Sequence, residues 1–194
     1  MTDRRTALID AGIDILRQEG LAGFTQAKIA ARVGLRQGHL TYYFPTRTDL
    51  LVAVASAAIE LQMEAISRMI DRISSVDQVA DLVAAMASNH ASTRVLVALN
   101  QAADNEPELQ GLFNKLADGF VSRITDLLTK LGLDVSEDCA DLVHALFVGL
   151  AVIDLATSRQ RSEERIAGVF STVLRLLIQD KEESKRPSRR KLHG

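Results

Sequence analysis

A dense set of hydrogen-bond donors lies in one short run near the N-terminus, residues 36–43, which reads Arg-Gln-Gly-His-Leu-Thr-Tyr-Tyr. An arginine guanidinium or a glutamine carboxamide can form two hydrogen bonds with the edge of a base, and hydroxyl groups can bind phosphate oxygens. Gln26, Lys28 and Arg47 add further donors on either side of the run. This concentration of donors favours contact with a duplex nucleic acid.

Two short helices are predicted to position these side chains. The spacing of apolar residues predicts a helix over Gln26–Val33, a turn at Gly34, where a positive φ is often needed, and a second helix over about Arg36–Tyr43. Both pack on a first helix, Arg4–Glu19, which ends at Gly20 as its C-cap. Two helices joined by a turn that contains a glycine form a helix-turn-helix. The apolar residues expected to hold it together are Ile29, Ala30, Val33, Leu35 and Leu40.

The rest of the chain is predicted to be helical as well. Phe44-Pro45 ends the second short helix, because a residue before proline avoids the α region. Thr46 then caps a long helix, Arg47–Ile73, and Asp49 completes the capping signal. Turn and cap signals separate five further helices, which are Val76–Asn89, Thr93–Ala103, Pro107–Leu131, Ser136–Ser158 and Glu163–Glu183. The predicted fold class is therefore all-α, with about nine helices.

The charge distribution divides the chain into three parts. The net charge is +2 for residues 1–50, −8 for residues 51–180 and +4 for residues 181–194. A basic head permits contact with a polyanion. The expected domains are a three-helix helix-turn-helix domain at 1–46 and a helical C-terminal domain at 47–183. A disordered basic tail at 184–194 either touches nucleic acid or only improves solubility.

Composition argues against several other classes of protein. The single cysteine, Cys139, cannot form an internal disulfide, and its neighbours do not have the Cys/His spacing of a zinc site. The sequence contains no GxSxG, HExxH or glycine-rich phosphate loop, so we expect neither an enzyme nor a bound metal or cofactor. We see no signal-peptide core, and the longest apolar run, Ala145–Ile153, is shorter than the ~20 residues that cross a bilayer. These features predict a cytoplasmic protein without membrane contact.

The helix-turn-helix window carries a distinctive series of short motifs, namely Phe24-Thr25, Ile29-Ala30, Gly34, Leu40-Thr41-Tyr42-Tyr43-Phe44 and Pro45-Thr46-Arg47. Over about residues 5–55 this series resembles the DNA-binding signature of the TetR family of transcriptional regulators. Two positions depart from the pattern. Thr41 stands where many relatives carry an aromatic residue, and Arg36 stands where a small hydroxyl residue is commoner. The rest of the chain resembles the family in the number and length of its helices.

The resemblance implies a dimeric repressor that binds a palindromic operator in double-stranded DNA and is released by a small-molecule effector. It implies that Gln37 reads a base, that Thr25 and Arg47 hold phosphates, and that Gly38 lets the recognition helix approach the DNA closely. The residues that it places at the DNA are Thr25, Gln26, Arg36, Gln37, Gly38, His39, Thr41, Tyr42, Tyr43 and Arg47.

These residues also fit roles that do not involve DNA. Taken singly, Arg36, Gln37 and Arg47 fit ordinary solvated side chains, and Tyr42 fits equally a residue that packs on the first helix. A helical interaction module that has lost DNA binding would still form a dimer. Such a module would have no salt-dependent affinity for DNA, which distinguishes it from a DNA-binding protein.

The last two predicted helices are the expected dimer surface, because they are apolar on more than one face. The alternative is that these apolar residues close the core of one subunit. A ligand cavity between the middle helices is predicted to be lined by Met86, His90, Phe113, Phe120, His144 and Phe147. Met and Phe at helical spacing also describe an ordinary core, and His90 and His144 fit a helix terminus and a hydrogen-bonded core histidine.

Overall fold

The computed structural model describes residues 3–133, 136–157 and 160–184, without the side chains of residues 180–184. Within these residues the chain forms α-helices and no strands, which confirms the predicted all-α class. In chain order the helices are α1 (Arg4–Gly23), α2 (Gln26–Arg32), α3 (Gln37–Tyr43), α4 (Arg47–Ile70), α5 (Val76–Ala87), α6 (His90–Ala103), α7 (Pro107–Lys130), α8 (Glu137–Thr157) and α9 (Ser162–Ser184).

The first hydrophobic core gathers α1, α2 and α3 and continues into α4 and α6. Its fully buried residues include Leu16 of α1, Ile29 of α2, Leu40 of α3 and Leu99 of α6. Full burial of each such side chain contributes roughly 1.5–3 kcal/mol to folding. The three N-terminal helices therefore share their core with α4 and α6. The division at residue 46 stays a prediction about domains.

The second core lies at the other end of the molecule and joins the second half of α4 to α5, α7, α8 and α9. Its buried residues include Ile66, Val83, Phe120, Val143 and Phe170, one from each of these helices. Helix α4 contributes to both cores, since Leu50, Leu51 and Val54 near its start belong to the first. Helix α4 therefore connects the two cores, as does α7, whose Leu109 belongs to the first core and whose Phe120 belongs to the second.

Glycines determine how the N-terminal helices meet, through their backbone angles and their lack of a side chain. Gly34 has a φ of +70°, which an L side chain rarely adopts, so the turn between α2 and α3 depends on glycine as predicted. Gly20 has a φ of +67° and breaks the helical geometry of α1, which resumes for one short turn to Gly23. A Cβ at Gly12 would lie 2.6 Å from a methyl carbon of Val54, so glycine allows α1 to approach α4 closely.

Several predicted helix ends are wrong by a few residues. Helix α6 begins at His90 instead of Thr93, because the side chain of Asn89 accepts a hydrogen bond from the backbone of Ser92 and caps the helix. Helix α4 ends at Ile70 instead of Ile73. Its start agrees with the prediction: Thr46 and Asp49 form a reciprocal capping box. The predicted helix end at Ser158 lies outside the described residues.

The predicted basic tail, 184–194, lies outside the described residues except at its first position. Ser184 is the last residue of α9 and is therefore helical. Two helices, α4 and α8, are long and apolar enough to cross a membrane by length and composition. The sequence analysis counted uninterrupted apolar runs, so it did not single out these two helices, whose apolar residues are interrupted by polar ones. Both helices contribute residues to a core, yet only 33% of the apolar window of α4 and 22% of that of α8 are buried within the described part of the subunit.

Candidate nucleic-acid interface

Helix α3 is held in place by the capped helix α2, by the turn between α2 and α3, and by one buried leucine. Before α2, the Thr25 hydroxyl accepts a hydrogen bond from the backbone N–H of Lys28 at 3.3 Å and caps the helix. In the turn, the N–H of Leu35 donates to the carbonyl of Ala30 at 2.9 Å. Leu40 is fully buried and fastens the inner side of α3 to the first core. Side chains on the outer side therefore project from a fixed frame.

The outer side of α3 exposes most of the residues that the sequence predicts at DNA. Arg36, Gln37, Gly38 and His39 are all exposed. The side chain of Tyr42 is 83% exposed, so it does not pack on α1, and that alternative is excluded. A Cβ at Gly38 would meet no atom within 4 Å, so the interior of the protein does not require glycine at this position.

Besides Thr25, three more of the predicted DNA contacts on α2 and α3 are already engaged by the protein. The Thr41 hydroxyl donates to the carbonyl of Gly38 at 3.0 Å, within α3. The Gln26 carboxamide donates to the carbonyl of Phe44 at 3.3 Å and so ties α2 to the end of α3. Tyr43 is half-buried, and its ring meets the edge of the Tyr42 ring with 5.2 Å between centroids. These residues support the shape of the surface.

Arg47 begins α4 beside the same surface and has two partners. Its guanidinium lies over the ring of Phe24 at 5.8 Å and within 3.9 Å of a carboxylate oxygen of Glu106. The other carboxylate oxygen of Glu106 accepts a hydrogen bond from the Thr48 hydroxyl at 2.9 Å. Glu106 immediately precedes α7, so this cluster joins the start of α4 to the C-terminal part of the chain.

The sequence did not identify Glu106 or Arg5 as part of this region. Arg5 lies over the ring of Phe44 at 5.2 Å and adds an exposed cation next to the start of α4. The position of Arg5 near the N-terminus of a basic domain is a weak sequence signal for a place in this interface. Glu106 is far from Arg47 along the chain and has no local pattern that would predict the pairing.

The six residues predicted to line a ligand cavity lie in four different places. Phe120, His144 and Phe147 form one cluster, in which the Phe120 ring centroid lies 5.0 Å from His144 and 4.9 Å from Phe147. Phe113 packs against the first core. Met86 lines a groove between α1, α4, α5 and α6. The sixth residue, His90, belongs to a charged cluster elsewhere.

His144 lies in a partly desolvated environment. Burial lowers the pKa of its imidazole below the usual 6.5, and the nearby carboxylate of Asp141 opposes this shift. The imidazole therefore favours its neutral form next to the Phe120 ring. His144 is half-buried, so the hydrogen-bonded core histidine that the sequence allowed stays a prediction.

His90 is paired with a buried carboxylate that the sequence analysis missed. Its Nε2 atom lies 2.8 Å from Asp154, whose side chain is fully buried, and Arg165 donates to the same carboxylate at 2.8 Å. Burial opposes ionisation of Asp154, but hydrogen bonds from Ser162, His90 and Arg165 outweigh it and hold the pKa of Asp154 below its usual value. The cluster fastens α6, α8 and α9 together.

Helix α8 presents an apolar face to solvent. The exposed residues on this face are Leu142, Val148, Val152 and Ile153, each more than 40% exposed, and Leu176 of α9 is 58% exposed. Val143 and Leu150, on the inner side of α8, belong to the second core. The apolar residues of α8 therefore form two surfaces. One packs in the second core, and the other is exposed to solvent.

Comparison with known proteins agrees with this architecture. A family model described as "Bacterial regulatory proteins, tetR family" matches residues 8–54, and one described as "Tetracyclin repressor-like, C-terminal domain" matches residues 70–180. The chain is 24% identical over 180 residues to the HTH-type transcriptional regulator CymR of Pseudomonas putida, covering 87% of this chain and 86% of CymR.

Solved structures share the fold. The chain superposes on a transcriptional regulator from Rhodococcus sp. Rha1 with a TM-score of 0.75 at 17% identity, covering 92% of this chain and 97% of that one. It superposes on the multidrug binding protein EbrR, complexed with proflavin, with a TM-score of 0.66 at 22% identity, covering 88% and 99%. The two family models together span the helix-turn-helix and both cores, and the chain belongs to the TetR family of transcriptional regulators.

Proposed function

We propose that this chain is a homodimeric repressor that binds a palindromic operator through α3 and leaves it when a small molecule binds the C-terminal part. The observation that carries the proposal is the free donor surface of α3. Gln37, His39 and Tyr42 are exposed there, while Leu40 on the opposite side is fully buried. Membership of a regulator family supports the same role and favours a DNA-binding protein over an enzyme.

Each exposed residue has a role that follows from its chemistry. Gln37 is suited to adenine, because its carboxamide matches the donor and acceptor on the major-groove edge of that base. His39 contacts a base edge, and Arg36 contacts guanine or a phosphate. The open space around Gly38 supports a close approach of the DNA backbone, since the fold itself leaves that space unfilled.

The flanking residues hold the phosphate backbone. The Thr25 hydroxyl and the backbone N–H groups that follow it bind one phosphate, and Arg47 binds another from the start of α4. Tyr42 donates its hydroxyl to the sugar-phosphate. Contacts of this kind set the position and orientation of the protein on DNA without selecting a sequence.

The apolar face of α8 is proposed as the dimer interface. Two copies related by a twofold axis would cover Leu142, Val148, Val152 and Ile153 with the same residues, and α9 would complete a four-helix bundle between subunits. A dimer places two copies of α3 about one DNA turn apart, ~34 Å or a multiple of it. The same interface accounts for the apolar composition of α8 in a cytoplasmic protein.

The effector is proposed to bind the C-terminal part. A multidrug binding protein of the same fold, EbrR, was solved in complex with proflavin, which supports a ligand-responsive C-terminal part here. Of the six residues predicted at the ligand, Phe120, His144 and Phe147 lie together, and we propose them as one wall of the effector site. Met86, His90 and Phe113 lie elsewhere.

Selection of bound fragments from random duplex DNA tests the function. We expect a palindromic motif to be enriched, and the affinity for it to fall steeply as salt rises. Screening metabolites for loss of binding to that motif then tests ligand release. A chain that forms dimers but enriches no sequence, with an affinity that salt leaves unchanged, would instead be a helical interaction module.

A further inference from the structure

A groove with a volume of about 220 Å³ lies where α1, α4, α5 and α6 meet. Its lining includes Ile13 and Arg17 of α1, which makes the helix that supports α2 and α3 part of its wall. The groove is separate from the cluster of Phe120, His144 and Phe147, because none of these residues lines it. Its volume is below the ~300–1,000 Å³ of sites for drug-sized ligands, so it suits a smaller molecule.

The lining of the groove combines apolar and polar side chains. Leu61, Met69, Met86 and Leu96 supply apolar surface, and the unbranched methionine side chains can adjust to the shape of a ligand. Gln62, Asn89 and Ser92 supply hydrogen-bonding groups. Such a mixture suits an amphipathic ligand that has one polar head.

The charged side chain that lines the groove indicates which polar head group the ligand would carry. Among the described residues that line it, Arg17 is the one charged side chain, and none is a carboxylate. Arg17 pairs with Asp14 at 3.5 Å, but the two side chains are 43% and 49% exposed, and a surface pair of this kind contributes little. A ligand carboxylate can therefore take the place of Asp14 and form charge-assisted hydrogen bonds with the guanidinium.

We propose that this groove is a binding site for a small monocarboxylate with an apolar body, in which Arg17 holds the carboxylate and Met69 and Met86 contact the body. The backbone carbonyl of Arg17 accepts a hydrogen bond from the Arg94 guanidinium of α6 at 2.9 Å. A ligand in the groove therefore lies next to a direct link between α1 and α6. The expected effect of this ligand on operator binding rests on the proposed function. The expectation that the ligand binds in the groove does not.

Calorimetry on the full-length protein with three probes of equal chain length tests the site. The probes are octanoate, octylammonium and octanol, which differ in the charge of the head. We expect octanoate to bind, octylammonium to show no binding, and octanol to bind at least tenfold more weakly than octanoate. Equal affinities for octanoate and octylammonium, or no binding of octanoate, would overturn the proposal.

Substitutions in the groove test whether octanoate binds there. Arg17→Ala is expected to weaken octanoate binding about tenfold or more, and Ala65→Phe, which fills the groove from α4, is expected to abolish it. Arg68→Ala is the matched control, because Arg68 is an exposed, ion-paired arginine on α4 that does not line this groove. Circular dichroism checks that each variant is folded. Unchanged binding by both Arg17→Ala and Ala65→Phe would place octanoate elsewhere and overturn the site.

The same protein is then titrated on its selected operator. Octanoate is expected to weaken operator binding for the wild type and to leave that of Arg17→Ala unchanged. If octanoate binds through Arg17 but no DNA is bound, the site stands and the proposed function fails. If DNA binds but octanoate does not, the proposed function stands and the site is overturned. Binding of octanoate without any change in operator affinity would overturn its regulatory effect.

Discussion

Single side chains on α2 and α3 differ in how free they are to meet DNA. Gln37, His39 and Tyr42 project into solvent, whereas the Thr41 hydroxyl and the Gln26 carboxamide already bond to backbone carbonyls. A residue that is already bonded must break that bond before it can contact a base, which lowers its net contribution. We therefore assign sequence discrimination to Gln37 and His39.

Replacing Gln37 with Ala separates base reading from phosphate binding. We expect Gln37→Ala to lose about 1–3 kcal/mol of discrimination at one base position, because the contact that we propose for Gln37 is to a base edge. Tyr42→Ala is expected to weaken all sequences by a similar factor. Competition binding with a set of single-base operator variants measures both. Gln110→Ala, on an exposed position of α7, is the matched control. Uniform weakening by Gln37→Ala would contradict the assignment.

The buried carboxylate of Asp154 predicts the acid sensitivity of the fold. Its pKa is held below the usual 3.8, so its ionised form stabilises the native state above that pH, and this stabilisation is lost as the pH falls through the lowered value. Asp154→Asn leaves Arg165 without its counter-charge and is expected to lower the free energy of unfolding by about 3 kcal/mol at pH 7. Urea titrations between pH 2 and 7 measure this.

A matched control for Asp154→Asn is Asp118→Asn, since Asp118 is an exposed carboxylate on α7. The Asp118 variant should keep the stability and the acid dependence of the wild type. Equal stability of the two variants at pH 7 would mean that the pair of Asp154 with Arg165 contributes no net stability.

Individual residues show where prediction from the sequence stops. The exposed donors of α3 were predicted because they lie next to one another along the chain and share one helix. Glu106 and Asp154 were missed because their partners are distant in sequence: Thr48 is 58 positions from Glu106, and His90 is 64 positions from Asp154. Only the packing of helices brings such pairs together.

Helices were predicted well because their signals are local. Apolar periodicity and cap residues predicted every helix that the structure describes, and the capping box at Thr46 fixed the start of α4 correctly. The start of α6 was misplaced because Asn89 was taken as the end of α5 when it caps α6. Asn serves both purposes in proteins, so the sequence alone does not decide between them.

The start of α4 and the residue before α7 are coupled through Glu106. Glu106 lies close to Arg47, so it would compete with the phosphate that we propose for the Arg47 guanidinium. Glu106→Gln removes this competition and is expected to raise operator affinity by about 1.4- to fivefold, because a partly exposed ion pair contributes about 0.2–1 kcal/mol. Fluorescence anisotropy on a labelled operator measures the affinity.

Glu108→Gln is the control for the loss of one negative charge near α7, since Glu108 is exposed and lies in the first turn of the helix. It should change operator affinity less than Glu106→Gln does. Weaker binding by Glu106→Gln would mean that Glu106 orients Arg47 for DNA, and the competition would be rejected.

At the scale of the whole molecule, α4 contributes to both cores and α8 keeps an apolar face outside them. A second subunit that covers this face would hold two copies of α3 at a fixed separation. Any ligand that tilts α4 would change that separation and weaken a contact that depends on the DNA helical repeat. The sequence could indicate that α8 is apolar on several sides, but it could not say which side the subunit itself covers.

A charge on the outer face of α8 tests the dimer. Ile153→Glu brings like charges together across a twofold interface, which costs several kcal/mol, so we expect monomers at micromolar concentration and operator binding at least tenfold weaker. Sedimentation velocity measures the assembly state. Val97→Glu, at an exposed apolar position on α6, is the control and should remain dimeric. Dimers of Ile153→Glu as stable as the wild type would place the interface elsewhere.

The central claim is that α3 reads DNA from a rigid frame, twice in each assembly. The most direct test is the ratio of affinities for the selected operator and for scrambled DNA, measured across a salt series. We expect a ratio of about 10³ or more, and an operator affinity that falls linearly with salt on logarithmic axes. Equal affinities for the two DNAs, or an affinity that salt does not change, would contradict the claim.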